Sequence, residues 1–146
     1  MILKIFRLVW FVSMLAVLAS LLYVYAALPE DVVLQEDGVK QIIVHRDTLF
    51  YAMTGAIAFV NVLVFILAKV APKQEDFRAW FHGQIITINV FFIIGLFLVS
   101  LFNSQEKYNY ARIDFIIYGS VVLMVVWAIS WPVWKIFKRF SVKQAV

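Results

Sequence analysis

The chain has 146 residues, 64% of them hydrophobic and 15% charged, with a mean hydropathy of +0.92; soluble domains are about half apolar and a quarter charged. So little polar surface cannot cover so many apolar side chains in water, which points to an all-α membrane protein forming one domain over residues 1–146. The absence of cysteine excludes disulfides, thiolate metal sites and cysteine nucleophiles, and the net charge of +4 is scattered over short flanks, which argues against nucleic acid.

Four apolar stretches, about 5–28, 48–68, 80–102 and 113–134, are each long enough for a transmembrane helix, since about 20 helical residues cross a hydrocarbon core of about 30 Å. The first follows Lys4 and Arg7, as a secretory signal would, with Val24 and Ala26 available to a cleavage enzyme. Its apolar region exceeds the roughly 7 to 15 residues of such signals, so an uncleaved anchor is expected.

Between the first two spans lies the long loop 29–47. Two runs rich in β-branched residues, Val32 to Glu36 and Val39 to Val44, flank Asp37-Gly38, a dipeptide that tolerates the positive φ of a tight turn. A small extracytoplasmic β-hairpin is predicted, with Asp47 or Thr48 capping span two. A lone hairpin is marginal in water, so it should lean on the second outer loop, on lipid headgroups or on a partner's sheet edge. Its candidate docking residues are Val32, Val33, Leu34, Asp37, Gly38, Ile42 and Ile43. The segment LLYVYAALPEDVVLQEDG resembles the extracytoplasmic entry of the bacterial membrane proteins related to the immunity protein of the sporulation-delay toxin, with Tyr25, Leu28, Pro29, Gly38 and Arg46 fitting its pattern. The family's Pro-x-His-Phe-Asn element has no counterpart; Val33, Leu34 and Gln35 stand there, so the resemblance implies a bacterial membrane protein and carries over no functional residue.

Helices associate in lipid through small residues and mutually bonded polar side chains. Span two carries Gly55, Thr54 and Asn61, and span three carries Gln84, Thr87, Asn89 and Gly95. Aligned antiparallel, Asn61 comes level with Asn89 and Gly55 with Gly95. A helix turns about 100° per residue, so only one pair can sit squarely between the spans. The amide pair is expected there, with Thr54 on the face of Asn61 and with Thr87 and Gln84 adding to the polar packing. On span four, Trp127, Trp131 and Trp134 recur at helical spacing as a packing face or an interfacial belt, where a quinone or carotenoid could also stack. The helix then continues into a basic tail whose Lys135, Lys138, Arg139 and Lys143 would meet anionic lipid heads.

Orientation follows from the basic residues. Lys4 and Arg7, the middle loop (Lys69, Lys73, Arg78) and the tail hold nine of the 13, while most acids fall in the other two loops, so both ends of the chain are expected on the cytoplasmic side. The tryptophans (Trp10, Trp80, Trp127, Trp131, Trp134) fall toward that side and the tyrosines toward the other, as two interfacial belts.

His45 and His82 fall at opposite membrane boundaries, too far apart to share one haem or zinc ion, and each reads as an interfacial polar residue. No ionisable side chain lies deep in a span, and Arg112 and Asp114 at the mouth of span four read as a cap or surface ion pair. The serines have no acid or histidine at their depth to activate them. No catalytic residue, metal or cofactor is therefore expected. The partners expected are the lipid bilayer and membrane-protein subunits. The sequence reads as a non-enzymatic accessory or scaffold subunit of a bacterial inner-membrane complex, with a module for an amphipathic peptide, lipid or quinone as the alternative and a small-solute transporter third.

Overall fold

A computed structural model describes the backbone of residues 1–37, 40–104 and 110–143, and side chains outside 35–41, 105–114 and 141–146. Gly38 and the side chains of Asp37, Arg112, Asp114 and Lys143 thus lie outside the described set. The elements in order are α1 (Ile2–Ala27), β1 (Asp31–Asp37), β2 (Lys40–His45), α2 (Arg46–Val70), α3 (Glu75–Phe102) and α4 (Tyr110–Lys143). All four helices are long and apolar enough to cross a membrane.

Local chemistry sets the helix boundaries. The residue before a proline is pushed out of the helical region, and Leu28, which precedes Pro29, is extended at φ −77° and ψ 144°. At the start of α2 the cap is His45, whose ring nitrogen accepts from the Asp47 N–H at 3.3 Å. This replaces the expected cap at Asp47 or Thr48: β2 runs to His45 and α2 begins at Arg46, so both candidates already lie inside the helix. The α2–α3 connection contains Pro72, which cannot continue a helix, and α3 opens with Glu75 and Asp76, whose charges suit its N-terminal dipole. The fourth helix runs for 34 residues through Pro132 and on past the span boundary at 134 into the basic tail, as expected.

Helix α3 is the centre of the assembly, packing against α1, α2 and α4, while α1 and α2 also touch. Two apolar clusters are stacked along the α1–α2–α3 axis. One joins Val17, Leu21, Val24, Leu28, Ile57 and Leu96 to Val32 of the hairpin; the other comprises Trp10, Val64 and Ile85. The buried positions on α1 form a single stripe, with Leu3 two turns before Trp10 and then Ser13, Val17, Leu21 and Val24 at intervals of three or four residues. Helix α4 rests chiefly on α3 and leaves most of its apolar side chains exposed.

The hairpin pairs antiparallel from Asp31–His45 to Asp37–Lys40, with a bulge at Leu34; β1 extends the expected Val32–Glu36 run by one residue at each end, and β2 is shifted one residue on from Val39–Val44.

Candidate functional site

Between the two apolar clusters lies a layer of buried amides. Asn61 Nδ2 donates to Asn89 Oδ1 at 2.9 Å and to the Ile57 carbonyl at 2.9 Å. Asn89 Nδ2 donates to Asn61 Oδ1 at 3.1 Å and to Ser13 Oγ at 3.0 Å. The layer is completed from α1: Trp10 Nε1 donates to Asn61 Oδ1 at 2.9 Å, and the Ser13 hydroxyl donates to the Trp10 carbonyl at 2.7 Å. Asn61 thereby uses both donors and both lone pairs, and Asn89 both donors. A network so occupied holds three helices in one register and offers a passing solute little to bond.

The other polar residues expected with this pair lie elsewhere. Thr54 donates to the Phe50 carbonyl and Thr87 to the Gln84 carbonyl, each within its own helix. Gln84 faces α4, its Nε2 at 3.5 Å from the Met124 carbonyl. A Cβ on Gly55 or Gly95 would meet nothing within 4 Å, so neither glycine permits a close approach. The close approach is at Gly83, where a Cβ would overlap the Trp127 indole. Around it, Trp80 Nε1 donates to the Trp127 carbonyl at 2.8 Å and Trp127 Nε1 to the Trp80 carbonyl at 2.9 Å, a reciprocal clasp of α3 on α4.

Trp10, Trp80, Trp127 and His82 are engaged by the protein itself, Trp127 as part of the packing face expected of its stripe. Trp10 is buried, and its N–H and those of Trp80 and Trp127 are spent on protein acceptors instead of headgroups. His82 is only 2% exposed, edge-on to Trp10 with ring centroids 5.7 Å apart, and its Nδ1 faces the Arg78 carbonyl. Its i−4 partner satisfies the ring locally, so burial is tolerated.

At the opposite end, the Asn103 side chain completes the hairpin's mooring. The Val33 N–H donates to Asn103 Oδ1 at 2.8 Å, while Asn103 Nδ2 donates to the Val33 carbonyl at 2.9 Å and to the Val99 carbonyl at 2.8 Å. The amide bonds β1 as a neighbouring strand would. Beside it, Tyr25 donates to Asp47 at 2.8 Å, while Arg46 donates to the Leu28 carbonyl at 3.1 Å and lies 4.9 Å from the Tyr25 ring centroid. Of the expected docking residues, Val32 is fully buried in the helix core and Val33 has its backbone bonded to Asn103, so neither is available to a partner. Leu34, Ile42 and Ile43 are exposed.

That pairing fixes what β2 presents. Val33 turns its N–H and C=O away from β2, so its facing residue Ile43 is in a non-hydrogen-bonded pair and directs its own N–H and C=O outward. The β1 edge is covered at Val33; among the described residues no hydrogen bond covers Ile43.

A third locality lies at the α2–α3 turn. A cleft of about 380 Å³ is lined by Lys73, Gln74, Glu75, Asp76 and Phe77 on one side and by Trp131, Trp134, Lys135 and Lys138 of α4 on the other. Phe77 and Trp131 touch at 5.3 Å between centroids, and Trp131 and Trp134 at 5.2 Å. The Lys135 ammonium lies 5.6 Å from the Trp131 centroid and that of Lys138 4.9 Å from Trp134. Arg139 is exposed further along α4 and does not line the cleft. Among the described residues, no group of three or more histidines or acids is placed to hold a metal.

No family model, curated protein or solved structure matches the chain.

Proposed function

We propose that the chain is a multi-pass protein of a bacterial cytoplasmic membrane, with both of its ends on the basic side, that acts as a non-enzymatic accessory subunit. Its outer hairpin takes an extended segment of a partner membrane protein along β2. The observation that carries this reading is the asymmetry of the hairpin: Asn103 occupies one edge, whereas Ile42 and Ile43 are 52% and 53% exposed beside the outward groups of the other. Native proteins usually blunt such edges with charge or proline, and strand addition supplies a partner through main-chain bonds. The amide layer supports a scaffold over a transporter, because its donors are already committed.

The test is copurification in mild detergent with an Ile43→Pro variant. Proline at an outward-facing edge position removes the donor offered to a partner and leaves the intramolecular ladder intact. Loss of the partner with an unchanged melting temperature is expected. A wild-type chain that stays a lone monomer at every concentration, or a complex indifferent to Ile43→Pro, overturns the reading.

A further inference from the structure

We propose that the cleft between the α2–α3 turn and α4 is a binding site for one zwitterionic phospholipid whose head carries both a phosphate and a primary ammonium. Its lining brings charges of both signs to one place: Lys73, Lys135 and Lys138 against Glu75 and Asp76. They do not neutralise one another, since no ammonium–carboxylate pair among these five lies within 4.0 Å. The lysines of α4 are instead held over indole rings, and the two acids sit on the first turn of α3. A cleft whose α4 wall carries two ammonium groups, and whose facing wall carries two carboxylates beside Lys73, is complementary to a short dipole. The phosphate bonds the ammonium groups of Lys135 and Lys138 on the α4 wall. The ammonium donates to Glu75 and Asp76.

The source of the ligand follows from the walls. Trp131 and Trp134 supply the amphipathic rings that favour headgroup depth, and the apolar ring of Phe77 packs against Trp131. The volume is within the roughly 300 to 1,000 Å³ of small-molecule sites. A choline head lacks N–H donors for the acids, and a glycerol head lacks the cation, so the site discriminates by headgroup. This inference rests on the membrane placement proposed above and is independent of the β2 edge.

The experiment reconstitutes the chain, without any partner, in nanodiscs of equal phosphatidylethanolamine, phosphatidylglycerol and phosphatidylcholine, and measures lipid retained after delipidation by native mass spectrometry. One retained phosphatidylethanolamine per chain is expected. Lys135→Gln with Lys138→Gln should lower its retention about tenfold, as loss of charge-assisted bonds implies. Glu75→Gln with Asp76→Asn should bring ethanolamine and choline lipids to parity while retaining both. All four positions are exposed, so the lysine pair should keep its melting temperature and the acid pair should lose only what the α3 dipole gains from it. Equal retention of the three lipids by the wild type, or indifference to both double variants, overturns the proposal. Displacement of the lipid by micromolar free phosphoethanolamine would assign the site to a soluble ligand and overturn its lipid identity. Because no partner is present, failure here is distinguishable from failure of the strand-addition reading.

Discussion

At the scale of single residues, a buried amide is either fully bonded or a liability, because desolvating an unpaired donor or acceptor costs about 1–3 kcal/mol. Asn89 is fully buried and holds Asn61 and Ser13 together. Exchanging Asn89 for leucine should therefore destabilise the helix assembly by about 1–2 kcal/mol, as measured by denaturant unfolding in detergent micelles. The same applies to Asn61→Leu, but the double exchange should cost less than the sum of the two. It removes both amides at once and leaves only Trp10 Nε1 and Ser13 to find other partners. Additive costs would mean that the two amides do not depend on each other. Gly83 makes the converse point, that absence of a side chain can be a requirement. Gly83→Ala drives a methyl into the Trp127 ring, which is bonded through its N–H and cannot simply turn aside. Overpacking of this kind costs about 1–3 kcal/mol, and the added cost of Gly83→Ala should largely vanish in a Trp127→Leu background.

At the scale of elements, the helices and the hairpin were legible because their signals are local: long apolar runs on one hand, β-branched runs around Asp37-Gly38 on the other. The Asn61–Asn89 contact was also accessible, since a short connection between α2 and α3 ties depth to residue number. What escaped was decided between distant segments. Nothing near Asn103 announces that its amide will bond Val33, 70 positions earlier, and only the fold makes Gly83 rather than Gly55 or Gly95 the point of contact. Trp10 shows the same limit: the partner of its N–H comes from another helix, which its position near a span end does not announce. The mooring of the hairpin makes its own prediction. Because two strands alone are marginal, Asn103→Leu should raise the hydrogen-exchange rate of the Val33 amide and its β1 neighbours while leaving the interior of α3 protected. Unchanged exchange would show that Val32, buried among Val24 and Leu28, suffices as the anchor.

At the scale of the whole molecule, the hairpin and Asn103 share one end, and the α2–α3 turn with its lysine-bearing cleft occupies the other. The two ends differ in net charge among the described side chains: Lys69, Lys73, Arg78, Lys135, Lys138 and Arg139 outnumber Glu75 and Asp76 at the turn end, and Glu30, Asp31 and Asp47 outnumber Arg46 at the hairpin end. A membrane across the helices should place the basic end on the cytoplasmic side, since juxtamembrane lysine and arginine resist translocation. The chain is unusually open to testing this, because it has no cysteine of its own. Single cysteines at the exposed positions Leu34, Ser104 and Lys73 would each report one face. An impermeant maleimide added to spheroplasts should label Leu34→Cys and Ser104→Cys, and should label Lys73→Cys only after the membrane is opened. Labelling of Lys73→Cys in intact spheroplasts, with Leu34→Cys protected, would invert the orientation. The β2 edge would then face the cytoplasm, and the cleft would draw its lipid from the outer leaflet.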